Sequence, residues 1–268
     1  MTTERLETLR VVKPWGRDDV MQEFGPTGED RIGEIWFKPS LRLDEVLVKF
    51  LFTSENLSVQ VHPDDARSPT GRGKEECWLI LEAKPGARIA LGFSEETDVG
   101  DIPSLADDGS LADRLEWHEV EAGDFFYVPA GTVHAIGSGI TLVEVQQNTD
   151  ITYRLFDYGR PRELHVEEGA RVSNGRPYPA ALRRKVDPVT TTLLVDGPHF
   201  RLAQVGGSSG QEQTPAFAGP VQIVVLSGTV DTQECTLEPA QSAVVRDLAA
   251  ISASPDARYL IAGLPGAR

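Results

Sequence analysis

Cysteine is scarce: Cys77 and Cys235 are the only two in 268 residues, and they stand far apart. They make no disulfide framework, and their scarcity suits a reducing cytoplasm. Long apolar runs are missing as well. None approaches the ~18 residues that suggest a membrane-spanning helix, and the N-terminal MTTERLETLR is charged where a secretory leader would be apolar. A soluble, cytoplasmic protein is expected. Basic charge is in deficit, 26 Lys and Arg against 41 Asp and Glu, for a formal net charge of -15. Nucleic acid and anionic membranes would be repelled and are not expected as partners. An anionic substrate would need a local cationic pocket to overcome that background field.

What is abundant is strand. With 25 Gly and 18 Pro, turns should be frequent. The runs IGEIWF (32–37), EVLVKFLFT (45–53), LSVQVH (57–62), ECWLILEA (76–83), ARIALGF (87–93), LEWHEVEA (115–122), DFFYVPA (124–130) and ITLVEVQQ (140–147) are β-branched, aromatic or aliphatic, and turn residues bound them. Such short, close-set strands predict an all-β sandwich or barrel with a few short helices. Helical signals lie at 101–115 and 161–172, the second with Pro161 near its start and Glu in its first turns. Residues 171–188 read as a connector. Beyond it HFRLAQV, PVQIVVLSGTV, SAVVRDL and ARYLIAG again read as strands, with LSGTV as a hairpin turn. The expected division is 1–170, a connector at 171–188, and a smaller β unit at 189–268.

Three segments carry chemistry. In SVQVHPDD (58–65), Ser58, Gln60 and His62 share one strand face while Val59 and Val61 share the other. In GKEECWLIL, Glu76 opens a strand with Trp78 and Ile80 on its own face. In GDFFYVPAGTVHAI, Gly123, Pro129, Gly131 and His134 punctuate two strands and a tight turn. Two imidazoles, a carboxylate and an amide oxygen could converge as ligands for Zn²⁺, with Fe²⁺, Mn²⁺ or Co²⁺ also suited. Taken singly, His62 reads as a hydrogen-bonded turn histidine, Glu76 as a surface charge and Gln60 as structural. The Gly-x5-Pro-x-Gly-x2-His turn reverses that balance, because it resembles the metal-binding strand motif of cupin barrels.

The resemblance extends further. KPWG (13–16), GEIW (33–36), LSVQVHPDD (57–65), GKEECW (73–78), VPAGTVHAI (128–136) and TYRLFDYGR (152–160) occur in order. Together they resemble the type I mannose-6-phosphate isomerases, zinc-dependent cupin enzymes, over roughly residues 10–170. The resemblance implies a bicupin-like pair of jelly-roll barrels, with one Zn²⁺ per chain held by Gln60, His62, Glu76 and His134. It selects Glu76 over Glu75. It implies that Arg154, Glu144 and Lys74 serve catalysis and that Ser58, Lys74 and Arg160 hold a sugar phosphate, whose dianionic group demands such donors.

The expected reaction is reversible isomerisation of mannose 6-phosphate and fructose 6-phosphate through a cis-enediol, in a monomer or homodimer. Another sugar or sugar phosphate, or a non-catalytic carbohydrate-binding cupin, are the alternatives. Bland readings stand beside each role. Taken singly, Arg154 and Arg160 read as partners of surface acids, and Glu144 as a solvent contact at the barrel rim. Asp64 and Asp65 can cap the turn after Pro63. His118, His165 and His199 have no convergent partners and are expected to be structural. The second barrel is expected to hold no metal.

Overall fold

The computed structural model describes residues 3–207 and 214–266. Seven strands form its largest sheet, in the order Arg183–Lys185, Asp124–Val128, Glu76–Ala83, Ile140–Gln147, Val46–Phe52, Ile32–Phe37 and Thr8–Arg17. Facing it is a five-stranded sheet of Tyr153–Phe156, Val59–Val61, His134–Ile136, Arg88–Phe93 and Leu115–Glu119. All pairings are antiparallel. Trp15, Trp78, Ile80, Leu91, Phe126, Ile136 and Leu142 fill the space between the two sheets.

Side-chain alternation lets the large sheet serve two cores at once. In Val46–Phe52, Leu51 points into the barrel, whereas Val46, Val48, Phe50 and Phe52 point out of it. In Glu76–Ala83, Trp78 and Ile80 point in, and Cys77 and Leu79 out. The outward set packs on Leu194, Phe200, Leu202, Val224, Val244 and Leu260 of the second half. That half has its own six-stranded sheet, closed over by the short strands Val230–Asp231, Thr236–Leu237 and Ser252–Ala253. Val205, Ile223, Val245, Tyr259 and Ile261 lie inside it. A strand buried on both faces reads as continuously apolar, as VLVKFLF does. Lys49 interrupts that run.

The halves also exchange edge strands. Thr3–Arg5 pairs with Ala243–Val245 in the second sheet, and Arg183–Lys185 extends the first along Asp124–Phe126. Two short helices, Ile102–Asp107 and Val166–Val172, cover the outer face of the five-stranded sheet over Val59, Val61, Ala135 and Leu155. No helix among the described residues is long and apolar enough to cross a membrane.

Two local expectations are corrected, and one strand went unread. The second helix starts at Val166 and not near Pro161, because Arg160–His165 forms a loop whose end is tied by His165 N–H to Arg154 O at 2.7 Å. LSGTV does not close a hairpin. The turn at Gly228 (φ 65°) carries the chain from the six-stranded to the three-stranded sheet. Thr8–Arg17 is a strand although it lacks apolar alternation, since it is a largely exposed sheet edge and needs no buried face.

Because one core joins the halves, unfolding should be a single cooperative transition. Phe200 is fully buried in that core, and Phe200→Ala should cost about 3–5 kcal/mol. Urea titrations followed by tryptophan fluorescence, whose reporters all lie in the first half, should shift to lower midpoint in one step.

Candidate active site

The strand Val59–Val61 solves a packing problem with its alternation. Val59 and Val61 are buried under the helices, so Ser58, Gln60 and His62 must face the barrel interior. Gln60 is directly opposite His134 on one side and Arg154 on the other, and opposed residues share a face. The turn that delivers His134 is pinned by Gly131 N–H to His62 O at 2.8 Å. Gly131 has φ 86°, and a Cβ there would lie 3.0 Å from Val172 O, so the position requires glycine. Glu76 enters from the opposite sheet.

His62, Glu76 and His134 are at most 2% exposed, and their ligand atoms all lie within 4.8 Å of one another. Glu76 Oε2 is 3.5 Å from His62 Nε2, and Glu76 Oε1 is 3.5 Å from His134 Nε2. The Nδ1 atoms lie 2.9 Å from the carbonyls of Ile151 and Thr132. Each carbonyl accepts a hydrogen bond from Nδ1–H, so each Nε2 offers a lone pair to the cluster. Burial, reinforced by Lys74, holds His62 well below the usual imidazole range, and burial brings His134 down to about 4. Both imidazoles are therefore neutral ligands at pH 7. Burial and then the Glu144 charge push Glu76 up to about 7. Its Oε1 is buried without a hydrogen-bond partner, the mark of an acceptor aimed at a cation. The Gln60 carboxamide lies 3.2 Å from His134 Nε2, and a half-turn of the amide presents its oxygen. This donor set fits a transition-metal ion.

From Glu76 a line of buried charge crosses the sheet. Lys74 Nζ contacts Glu76 closely, lies 3.0 Å from His62 Nε2 and reaches Glu144 at 3.6 Å. Glu144 meets Lys49 at 2.9 Å, Lys49 reaches Glu34 at 3.7 Å, and Glu34 meets Lys13 at 3.0 Å. Burial alone would raise Glu144, but Lys49 and Lys74 draw it down to about 2. Lys49 is held above the usual ammonium range despite burial, chiefly by Glu144 and Glu34.

Lys13, Glu34, Lys49, Lys74 and Glu144 line a cavity of about 300 Å³ together with Trp15, Trp36, Ser58, Gln60, Asp150, Thr152, Arg154 and Arg162. Of the residues expected at the site, Ser58, Gln60, Lys74, Glu144 and Arg154 share this cavity, and His62, Glu76 and His134 cluster beside it. Arg160 does not line it. Its Nε and Nη2 donate to Asp157 O at 3.2 Å and Asn56 O at 2.5 Å. Asp64 accepts from Arg67 N–H, and Asp65 from Gly73 N–H at 2.7 Å and Gln147 Nε2 at 2.9 Å. His118, His165 and His199 lie apart from the cluster, against Arg183, Arg154 N–H and Asp65.

Sequence reading missed Lys13, Glu34, Lys49 and Arg162. The first two sit inside KPWG and GEIW. Lys49 had a visible signal, a cation on the barrel-facing side of an apolar strand. Arg162 had none.

Comparisons with known proteins place the chain among relatives of one activity. It is 38% identical over 198 residues to the mannose-6-phosphate isomerase of Streptococcus mutans, covering 68% of this chain and 61% of that one. To the mannose-6-phosphate isomerase ManA of Bacillus subtilis it is 35% identical over 187 residues, covering 64% and 59%. The chain thus matches about 60% of the length of these curated relatives. No family model matches. The crystal structure of the Bacillus subtilis mannose 6-phosphate isomerase superposes with a TM-score of 0.79 at 20% identity, covering 98% of this chain and all of that one. A variant of the Salmonella typhimurium phosphomannose isomerase gives 0.76 at 15% identity, over 99% of this chain. These superpositions establish the shared cupin-type fold.

His134→Ala should abolish stoichiometric metal in elemental analysis while far-ultraviolet circular dichroism keeps its β signature. Protons should compete for Glu76. With its carboxyl near 7 and both histidines neutral well below that, metal affinity should fall about tenfold per unit as pH drops below about 7, and flatten above it. Calorimetric titration with Zn²⁺ at pH 5.5, 6.5 and 8 checks this. An affinity constant across that range would remove Glu76 from the ligand set.

Proposed function

This chain is a relative of the cupin-type mannose-6-phosphate isomerases, and on that premise we propose that it interconverts mannose 6-phosphate and fructose 6-phosphate as a metal-dependent aldose–ketose isomerase. The supporting observation is a buried ligand cluster beside a cavity whose walls carry three lysines, two arginines and two buried glutamates. Such a wall can neutralise a sugar phosphate inside a strongly acidic protein.

The reaction moves a proton between C2 and C1, with negative charge developing on the enediolate oxygens. Bound by Gln60, His62, Glu76 and His134, a divalent ion, for which Zn²⁺ best suits this mixed donor set, would stabilise that charge. Arg154 lies directly opposite Gln60, and its Nε is buried without a partner. It offers a fixed donor to the same oxygens. Lys74, between Glu76 and Glu144, donates to a substrate hydroxyl or carbonyl. Glu144 is ionised and accepts a proton most readily when Lys74 turns to substrate, because its low pKa depends on the two lysines. Ser58 adds a hydroxyl donor at the cavity wall. The free thiols Cys77 and Cys235 are consistent with a reducing cytoplasm as the working compartment.

Purified, Zn²⁺-loaded protein should convert mannose 6-phosphate in an assay coupled to fructose 6-phosphate removal, and convert free mannose far more slowly. Equal rates on the two sugars would point to a neutral-sugar isomerase. Arg154→Ala should lower kcat by ~10²–10³-fold with a smaller change in KM.

A further inference from the structure

The isomerase reading leaves open where the phosphate sits, and the arginines after the strand Tyr153–Phe156 bear on that. Arg154 faces the metal cluster across from Gln60. Arg162 lines the same cavity from the loop beyond that strand. The buried carboxylate of Asp157 fixes it, accepting from Nε and Nη2 at 2.6 Å each. A guanidinium clamped through those two nitrogens keeps its remaining N–H groups pointed away from the clamp, and Nη1 has no partner among the described residues. Arg160 meets the same Asp157 at 3.3 Å and donates from Nε and Nη2 to backbone carbonyls. Its Nη1 is buried without a partner, but Arg160 does not line the cavity.

We propose that Arg162, the outer of the two guanidiniums in the cavity, is the residue that grips the substrate phosphate, and that Arg160 acts behind it by holding Asp157. This rests on the isomerase reading of the site. Chain geometry of the sugar supports it: C1 and C2 react beside the metal cluster, and the C6 phosphate is the far end of the molecule. Charge supports it too. Arg160 and Arg162 share the single buried carboxylate of Asp157, which acts on Arg154 only through space, while Glu163 turns its carboxylate to solvent, 85% exposed. The other acids lining the cavity are Glu34 and Glu144, already bound to lysines, and Asp150 at the exposed rim. After burial, the Arg162 charge is the next cause lowering the Arg154 guanidinium, with Asp157 opposing it, so the three arginines outweigh the one buried carboxylate. A dianion held at the free edge of Arg162 offsets that excess of positive charge and forms charge-assisted hydrogen bonds.

Two measurements on the metal-loaded protein test this: calorimetric binding of inorganic phosphate, and kinetics on mannose 6-phosphate. Arg162→Ala should weaken phosphate binding and raise KM for mannose 6-phosphate by about tenfold or more. Arg162→Lys, which keeps the charge and loses the fork, should fall between it and the parent. Arg162→Gln preserves bulk should the alanine variant fold poorly, and should match its loss. Arg160→Ala should shift either quantity by less than about threefold. An Arg162 series within about twofold of the parent, or the whole loss appearing in Arg160→Ala, overturns the assignment. Phosphate binding that depends on Arg162 in a protein unable to isomerise mannose 6-phosphate would sustain the anion site and reject the isomerase reading instead.

Discussion

Five charges buried in one barrel can be tolerated only if they alternate in sign. Glu34, Lys49, Glu144, Lys74 and Glu76 do so, with the partly exposed Lys13 beyond Glu34, each within 4 Å of the next. An isolated ion at such depth would cost several kcal/mol, and a pair repays that only with close geometry and further hydrogen bonds. The line ends at two neutral imidazoles and a carboxylate that retains an unpartnered oxygen. Remove any interior member and its two neighbours become like charges facing an uncompensated gap. The line therefore acts as a unit, and the pocket's shape, the ionisation of Glu144 and the readiness of Glu76 for a cation all depend on it.

The fold makes room for this by separating duties between the two faces of the large sheet. Its outer face is apolar and welds the first barrel to the second. With stability supplied there, the inner face can carry Lys49, Glu144 and Glu76 among Trp78, Ile80 and Leu142 without being the sole core. The second half also reaches the site from behind. His199 lies 3.6 Å from Asp65, and Asp65 holds Gly73 N–H and Gln147 Nε2 while Gln147 Oε1 accepts from Glu75 N–H. These bonds fix the segment that presents Lys74 and Glu76. Gly73 is required there, because a Cβ would lie 2.5 Å from the Asp64 backbone.

The grouping of His62, Glu76 and His134 was legible partly from local pattern, with the family resemblance needed to choose Glu76 over Glu75. Gln60 and His62 share a face by period two, Glu76 begins a strand, and the glycines around Pro129 fix how His134 re-enters. The barrel strands were legible for the same reason, since apolar alternation records which face is buried. Strands without that record, such as Thr8–Arg17, and the loop that delays the second helix to Val166 were not. Neither was the exchange of edge strands, which pairs residues more than 200 positions apart in the case of Thr3 and Val245.

From the sequence alone came the strand faces, the ligand types and their spacing, because backbone periodicity and turn chemistry act over a few residues. Tertiary structure alone decided that Lys49 sits between Glu34 and Glu144, and that Asp157 clamps Arg162 toward the cavity while Arg160 is spent on carbonyls. In RLFDYGRPR (154–162) the last two arginines stand two positions apart and carry the same charge. Which one lines the cavity depends on where a buried carboxylate and a distant carbonyl happen to stand, and those are set by the packed fold rather than by neighbours in the chain.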